Sequence, residues 1–262
     1  MNYRSPRNIA ITGGLTIAAV LIFIKIFNIA GHEEDNTPET MTSADMNNHS
    51  KNIVKTIDLP EPGFDSKTSV ESAMKSRRSI RRFNNKPLNP EQVSQLLWAA
   101  YGITKPAPAA ADYLRGGMRT APSAGALYPL EIYLVAGNVE GLDKGIYRYN
   151  SEDHKLEMLQ KGDQRKSLQS AALNQEHVGS AAVNIVYSAV YERTTSKYGE
   201  RGELRYVPMD LGHSAQNIYL QCESMGLGTC AVGAFDDKAV SRVLKLSSKE
   251  TPLYIMPVGY PD

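Results

Sequence analysis

Apolar residues recur at helical spacing in four stretches of the chain, and each stretch has a start or stop signal. The strongest start is Asn89 with Gln92 three residues later, which together can form a capping box, and Gly102 stops that helix. Ser69 and Asp236 are caps for two shorter helices. The pattern predicts helices over residues 70–76, 90–101, 210–225 and 237–246.

Other stretches are rich in β-branched and aromatic residues and predict strands. Residues 145–149 and 155–159 flank a polar turn, so they form a hairpin. Further strands are expected over residues 130–136, 182–190, 229–232 and 252–258. Strands and helices are interspersed, with hairpins as well as crossovers, which predicts an α+β fold with a mixed sheet flanked by helices.

The N-terminal region has a different pattern. Residues 9–30 carry a single charge, Lys25, and as a helix they would span roughly 33 Å, which predicts a transmembrane anchor. A buried core helix and a cleaved signal peptide are the alternatives. Asn28 stands where the cleavage site of a signal peptide would carry a small residue, which favours the uncleaved anchor.

The residues around this apolar span define the predicted domain organisation. Residues 1–8 form a basic stub, residues 31–65 an acidic disordered tether, and residues 66–262 one folded domain. Bases precede the span and acids follow it, so the positive-inside rule places the N-terminus in the cytoplasm. The same rule places the folded domain outside the cytoplasm, as part of a single-pass membrane protein.

Composition narrows the classes of function. The 262 residues include 29 Lys and Arg against 28 Asp and Glu, a net charge of +1, which argues against a nucleic-acid binder. Two cysteines exclude a disulfide-rich scaffold and a four-cysteine zinc site. The histidines show no metal-ligand spacing, so we expect no metal.

The densest charge feature is an arginine-rich segment at residues 77–82. Guanidinium groups of Arg77, Arg78 and Arg81, with the hydroxyl of Ser79, match the oxygens of a phosphate group. A solvated basic helix end and a nucleic-acid patch are the alternatives, and the second is disfavoured by the modest charge of the domain.

Two further segments are rich in small residues, and the first of them suits the binding of a flat ligand. Pro122, Ser123, Ala124 and Gly125 are small or rigid residues in a turn, where backbone can approach a ligand closely. The second segment, residues 226–235, is rich in glycine. It lacks the G-x-G-x-x-G fingerprint, which argues against a dinucleotide-binding fold.

Taken in order, these segments resemble one known family. Residues 77–83, 95–103, 119–131, 210–217 and 232–236 are similar to the FMN-dependent nitroreductase superfamily. The best match is its SagB-type (thiazole/oxazole oxidase-like) dehydrogenase branch. The resemblance extends over residues 57–262 and implies the nitroreductase fold.

The resemblance also implies roles for residues at matching positions. The FMN phosphate and ribityl chain would be held by Arg77, Arg78, Ser79 and Arg81. One edge of the flavin ring would be lined by Pro122, Ser123, Ala124 and Gly125. Backbone donors near the reactive part of the ring would come from Val232, Gly233 and Ala234.

Members of this family that oxidise azolines use a Lys-Tyr pair to remove a substrate proton, and Lys197 and Tyr198 resemble that pair. The alternative for these two is an exposed loop lysine beside a packing tyrosine.

A homodimer is implied, with FMN at an interface built around the long helix, NAD(P)H as electron donor and a small-molecule substrate. The chain ends without the further basic residues that many relatives use on the phosphate, so either the phosphate is held more weakly or Arg115 or Arg119 supplements the site. The leading hypothesis is a membrane-tethered FMN-dependent oxidoreductase. An azoline-to-azole oxidase and a non-catalytic flavin or metabolite sensor are the alternatives. The outside placement conflicts with the cytosolic supply of FMN and reduced nicotinamide.

Overall fold

The computed structural model describes residues 53–108, 111 and 114–262. None of the helices in these parts of the chain combines the length and the apolar character that a bilayer crossing needs. The predicted stub at residues 1–8, the predicted anchor at residues 9–30 and the tether up to residue 52 lie outside the described residues.

Seven strands form the main sheet. They are β1 (Lys55–Asp58), β4 (Leu130–Ala136), β5 (Gly145–Asn150), β6 (Lys155–Lys161), β7 (Val183–Val190), β8 (Gly228–Thr229) and β9 (Glu250–Gly259). The numbering follows the chain, in which two strands of a separate sheet come between β1 and β4. Their spatial order is β1-β6-β5-β4-β7-β9-β8. Strands β2 (Ile103–Pro106) and β3 (Gly117–Arg119) form a separate two-stranded sheet.

Every strand pair in the main sheet is antiparallel. The predicted mixed sheet is therefore wrong in this respect, although the α+β class is confirmed. The interspersed helices suggested crossovers between parallel neighbours. Instead, neighbours such as β4 and β7 run in opposite directions although a hairpin and two helices separate them in the chain.

Strand β1 lies within the predicted tether. Lys55 pairs with Met158 and Asp58 with Lys155, so β1 is an edge strand of the main sheet. Ile57 also packs against the apolar core. The fold therefore begins before residue 66, and a disordered tether that reaches residue 65 is wrong, because backbone pairing holds a segment that is mostly polar.

Helices cover both faces of the main sheet. Their bounds are α1 (Val70–Ser76), α2 (Pro90–Tyr101), α3 (Arg165–Ala171), α4 (Glu176–Ser180), α5 (Glu192–Tyr198), α6 (Val207–Ser224) and α7 (Asp237–Leu244). The apolar faces of α2 and α6 share one core with the sheet. Helices α3, α4 and α7 form a second core on the other face.

The predicted start of α2 is confirmed in detail. The side chain of Asn89 accepts a hydrogen bond from the Gln92 amide at 2.8 Å, and the Gln92 side chain accepts one from the Asn89 amide at 3.0 Å. Two orphan amide donors at the helix start are thereby satisfied. Helix α2 then packs against α6, the long helix that positions both parts of the site described below.

Candidate active site

The loop at residues 123–128 is fixed by a buried carboxylate on α6. The Ser123 hydroxyl donates to Asp210 Oδ2 at 2.5 Å, and the Ala124 amide donates to Oδ1 at 3.2 Å. Ser123 Oγ in turn accepts a hydrogen bond from the Tyr128 amide at 3.0 Å. Burial raises the pKa of Asp210, although these two donors act against that effect. A single side chain therefore holds one end of the loop.

Gly125 lies in this loop with a positive φ of 63° and is exposed to solvent. A Cβ atom at this position would lie 2.7 Å from the Tyr198 hydroxyl and 3.3 Å from Lys197 Nζ. The structure therefore brings together the two predicted catalytic side chains and a predicted ring-lining residue. We name Ser123, Ala124, Gly125, Lys197 and Tyr198 the lysine cluster.

Lys197 and Tyr198 belong to helix α5, so the alternative interpretation of Lys197 as a loop residue is wrong. The Lys197 side chain is exposed, whereas Tyr198 is half-buried and packs edge-on against Tyr206 with 4.9 Å between ring centroids. A π-helical turn, Gly202–Tyr206, joins α5 to α6. Such turns are frequent at functional sites.

The arginine-rich segment meets a different part of α6. The Arg77 guanidinium lies 5.3 Å from the centre of the Tyr219 ring, and Ser79 Oγ lies 3.3 Å from the Tyr219 hydroxyl. The same hydroxyl accepts a hydrogen bond from the Ala231 amide at 2.7 Å. We name Arg77, Ser79, Tyr219 and Ala231 the arginine cluster.

The other predicted phosphate ligands are arranged differently. The guanidinium of Arg78 donates to three carbonyl oxygens at the end of α1, so this side chain closes a helix end and does not point to a shared centre. Arg81 is exposed, and its charge adds to burial in lowering the pKa of His177. Arg78 therefore has carbonyl partners of its own, while Arg77 and Arg81 remain predicted phosphate ligands.

Neither of the two arginines proposed to supplement the phosphate site is free to do so. Arg119 is buried between the rings of Tyr101 and Tyr128, at 4.6 and 4.9 Å from their centres, and donates to two backbone carbonyls. Arg115 pairs with Glu131 at 3.1 Å. That prediction is wrong because Arg119 is held in the core and Arg115 is paired with the Glu131 carboxylate.

Of the three predicted backbone donors, one is engaged elsewhere. The Val232 amide donates to the Ile255 carbonyl at 2.9 Å and so belongs to the sheet. Gly233 and Ala234 are exposed. These two remain predicted donors, and Pro122, which is also exposed, remains a predicted ring contact.

The two clusters lie on opposite flanks of α6. Asp210 holds the lysine cluster and Tyr219 belongs to the arginine cluster. These two residues are nine positions apart in the chain. Nine residues correspond to about 13 Å along a helix and half a turn around it. Among the described residues, no hydrogen bond, ion pair or ring contact joins the two clusters.

Sequence reasoning missed the roles of Asp210 and Tyr219. Asp210 is an acid on the buried face of α6, and a charged residue within an apolar stripe is the sequence signal that indicates such a role.

Cys222 and Cys230 are free thiols, buried in separate cores. Within the described residues, no three His, Cys, Asp or Glu side chains converge as metal ligands would.

The chain belongs to the nitroreductase family, whose model matches residues 74–260, and it is an oxidoreductase. The predicted resemblance is confirmed. The nitroreductase-family protein MJ1384 of Methanocaldococcus jannaschii is 41% identical over 204 residues, 78% of this chain and 96% of that protein. The microcin B17-processing protein McbC of Escherichia coli is 26% identical over 255 residues, 92% of this chain and 90% of that protein. The crystal structure of a nitroreductase-family protein from Ralstonia eutropha JMP134 superimposes with a TM-score of 0.67 at 29% identity, covering 79% of this chain and 90% of that one.

Proposed function

We propose that this protein is an FMN-dependent oxidoreductase that moves two electrons between NAD(P)H and a small organic substrate. The observation that carries the proposal is the loop of the lysine cluster. Asp210 on α6 binds Ser123 and Ala124, and Gly125, which has no side chain, lets the Lys197 amine and the Tyr198 hydroxyl lie close to the backbone. A fixed loop of small residues beside groups that can transfer protons suits a planar redox ring and its substrate.

The residues present fit FMN at both ends of that molecule. Gly125 lets the Tyr198 hydroxyl and the Lys197 amine lie close to the loop backbone, so a ring bound beside the loop would meet both groups, and Asp210 holds the loop in place. Arg77 and Ser79 offer a guanidinium and a hydroxyl to a phosphate, and Gly233 offers exposed backbone. When bound, FMN supplies a site that accepts a hydride and returns it.

The placement of the two clusters supports a homodimer. They lie on opposite flanks of α6, so the two clusters of one chain do not face each other. A second copy packed along α6 would set its lysine cluster beside the arginine cluster of the first. We therefore propose that each complete FMN site is built from two chains.

A second candidate function is the oxidation of an azoline ring to an azole. This reaction removes two hydrogens, one as a proton and one as a hydride, and we propose Lys197 Nζ, which lies near Gly125, as the acceptor of the proton. Lys197 is exposed and can pass that proton on to solvent, and the centre of the Tyr198 ring lies 5.4 Å from its amine. Similarity to McbC, which is named for processing microcin B17, favours this candidate.

The first experiment tests the cofactor and the donor. We expect the full chain, purified in detergent and mixed with FMN, to stay yellow after gel filtration, as a dimer of twice the 28.8 kDa chain mass. NADPH should bleach the flavin absorbance under nitrogen, and a quinone should restore it. A protein that takes up no FMN would sink the proposal. A yellow protein that neither NADPH nor NADH bleaches would point to the sensor alternative.

Replacement of Lys197 separates the two candidate reactions. For an azoline oxidase, Lys197→Met should slow the oxidation of a thiazoline peptide by at least about 100-fold, because general-base catalysis is lost. A simple quinone or nitro reductase should keep its rate. Lys161→Met, at an exposed strand end, is the matched control and should leave both reactions unchanged.

We also propose that residues 9–30 anchor the protein in a membrane, with the N-terminus in the cytoplasm and the domain outside. The apolar length of this segment and the distribution of charges around it support both parts. The cytosolic supply of FMN and NAD(P)H favours the opposite side, so the topology needs its own test.

A further inference from the structure

The helix that carries Lys197 and Tyr198 has little stability of its own. Helix α5 has seven residues, and no side chain caps its first turn. Its one buried residue is Thr194. An isolated helix of this length is unstable in water, so tertiary contacts must set the direction of α5.

Arg193, whose side chain is only 10% exposed, makes a charged contact of this kind. Its Nη2 lies 2.5 Å from Glu131 Oε1, and its Nη1 donates to the Tyr128 carbonyl at 3.3 Å. Glu131 is the second residue of β4, and Tyr128 ends the loop at residues 123–128. Arg193 therefore joins α5, the sheet and that loop.

The carboxylate that Arg193 contacts stays ionised. Burial alone would raise the pKa of Glu131, but Arg193, Arg115 and Arg148 outweigh that effect and lower the pKa to about 2. Arg115 approaches the same carboxylate oxygen at 3.1 Å. The ion pair is therefore present throughout the neutral range.

Arg193 and Lys197 lie on one face of α5, since they are four positions apart in the chain. Arg193 contacts the Tyr128 end of the loop, while Lys197 lies over Gly125 in the middle of it. Asp210 holds the Ser123 end. The bridge one turn earlier in the helix therefore ties the backbone that carries Lys197 to the same loop.

We infer that Arg193 is a positioning residue, which holds Lys197 and Tyr198 over Gly125 through its bridge to Glu131 and the Tyr128 carbonyl. This inference rests on the second candidate function, the oxidation of an azoline, for its catalytic meaning, because only that reaction depends on Lys197. The planar guanidinium reaches two acceptors in fixed directions, whereas the point charge of a lysine cannot serve both in the same geometry. Arg193→Lys keeps the charge and removes the two-point bridge.

Arg165→Lys is the matched control. Arg165 is also an arginine of low exposure, with its side chain 17% exposed. It too binds a carboxylate, that of Asp163 at 2.6 Å, and a carbonyl, that of Ala181 at 2.9 Å. It lies on α3, on the other face of the sheet. The two substitutions remove similar contacts, and only one of them lies next to α5.

The first measurement is hydrogen exchange of the full chain without added FMN. In Arg193→Lys, amides of residues 192–198 should exchange about tenfold faster than in the wild type, as expected for loss of a charge-assisted hydrogen bond. In Arg165→Lys the same amides should exchange at the wild-type rate. Unchanged exchange of residues 192–198 in Arg193→Lys would overturn the inference.

The second measurement is turnover with FMN bound. The Lys197-dependent reaction should lose about tenfold in kcat in Arg193→Lys, with KM and FMN affinity nearly unchanged, because positioning acts on the chemical step. Faster exchange with an unchanged kcat would show that the bridge is only structural and would overturn the inference. Failure of the wild type to bind FMN would contradict the proposed function instead. Gel filtration of the wild type with FMN shows that outcome before any variant is made.

Discussion

At the scale of single residues, the lysine cluster depends on the absence of a side chain at Gly125. Gly125→Ala adds a Cβ that would lie 2.7 Å from the Tyr198 hydroxyl, so that ring must move. We expect the proposed proton transfer to slow by about tenfold or more, since small displacements of catalytic groups are costly. Steady-state kinetics of the FMN-loaded protein checks this.

Backbone strain has to be separated from this steric effect. Gly141 also has a positive φ, 67°, but a Cβ there would meet nothing within 4 Å. Both alanine variants should lose about 1 kcal/mol of stability through the left-handed backbone, and only Gly125→Ala should lose activity. Equal activity of the two variants would contradict the arrangement described for Tyr198.

Single positions also show what residue type alone does not reveal. Arg78 has the charge that a phosphate site needs, yet its guanidinium binds carbonyls at the end of α1. Arg119 has the same charge and is buried between two tyrosine rings. The sequence supplies the guanidinium groups, but packing decides where each one points.

At the scale of elements, Glu131 links β4, α5 and the loop at residues 123–128. Its pKa falls from 4.5 to about 2 on folding, because the effect of the neighbouring arginines exceeds the effect of burial. A lowered pKa stabilises the fold above pH 4.5, and this contribution is lost as the pH falls towards 2. In denaturant unfolding, the free-energy difference between wild type and Glu131→Gln should therefore shrink over that range.

The control for this experiment is Glu140→Gln, which alters an exposed carboxylate. Its unfolding free energy should follow that of the wild type at every pH. A difference between wild type and Glu131→Gln that stays constant from pH 6 to pH 2.5 would show that Glu131 has an ordinary pKa in the folded protein.

The prediction of elements succeeded where local signals were strong. Helix α2 has a capping box, and α1 and α7 have side-chain caps at Ser69 and Asp236. Helices α3, α4 and α5 were missed because they have seven residues or fewer and no side-chain cap. Contacts between distant parts of the chain stabilise them, and such contacts leave no local pattern.

At the scale of the whole molecule, the topology can be tested with reporters fused after Asp262. We expect alkaline phosphatase, which is active only outside the cytoplasm, to be active in this fusion, because Arg4 and Arg7 precede the apolar span. The same fusion without residues 1–30 should be inactive. A green fluorescent protein fusion that fluoresces, with an inactive phosphatase fusion, would place the domain in the cytoplasm.

The sequence by itself determined the family, the α+β class and most of the long elements. These follow from caps, turns and apolar spacing, which depend on residues close together in the chain. It also supplied the residue types of both clusters. The string of motifs over residues 57–262 was enough to identify the nitroreductase family.

Only the tertiary structure decided which of these residues meet. Ser123 and Asp210 are 87 positions apart in the chain, yet their hydrogen bond sets the loop beside α6. Lys197 lies over Gly125 because Arg193 and Glu131 are paired across 62 positions. The division of the site between two flanks of α6 is likewise a result of packing, since burial and side-chain direction depend on contacts that sequence neighbours do not specify.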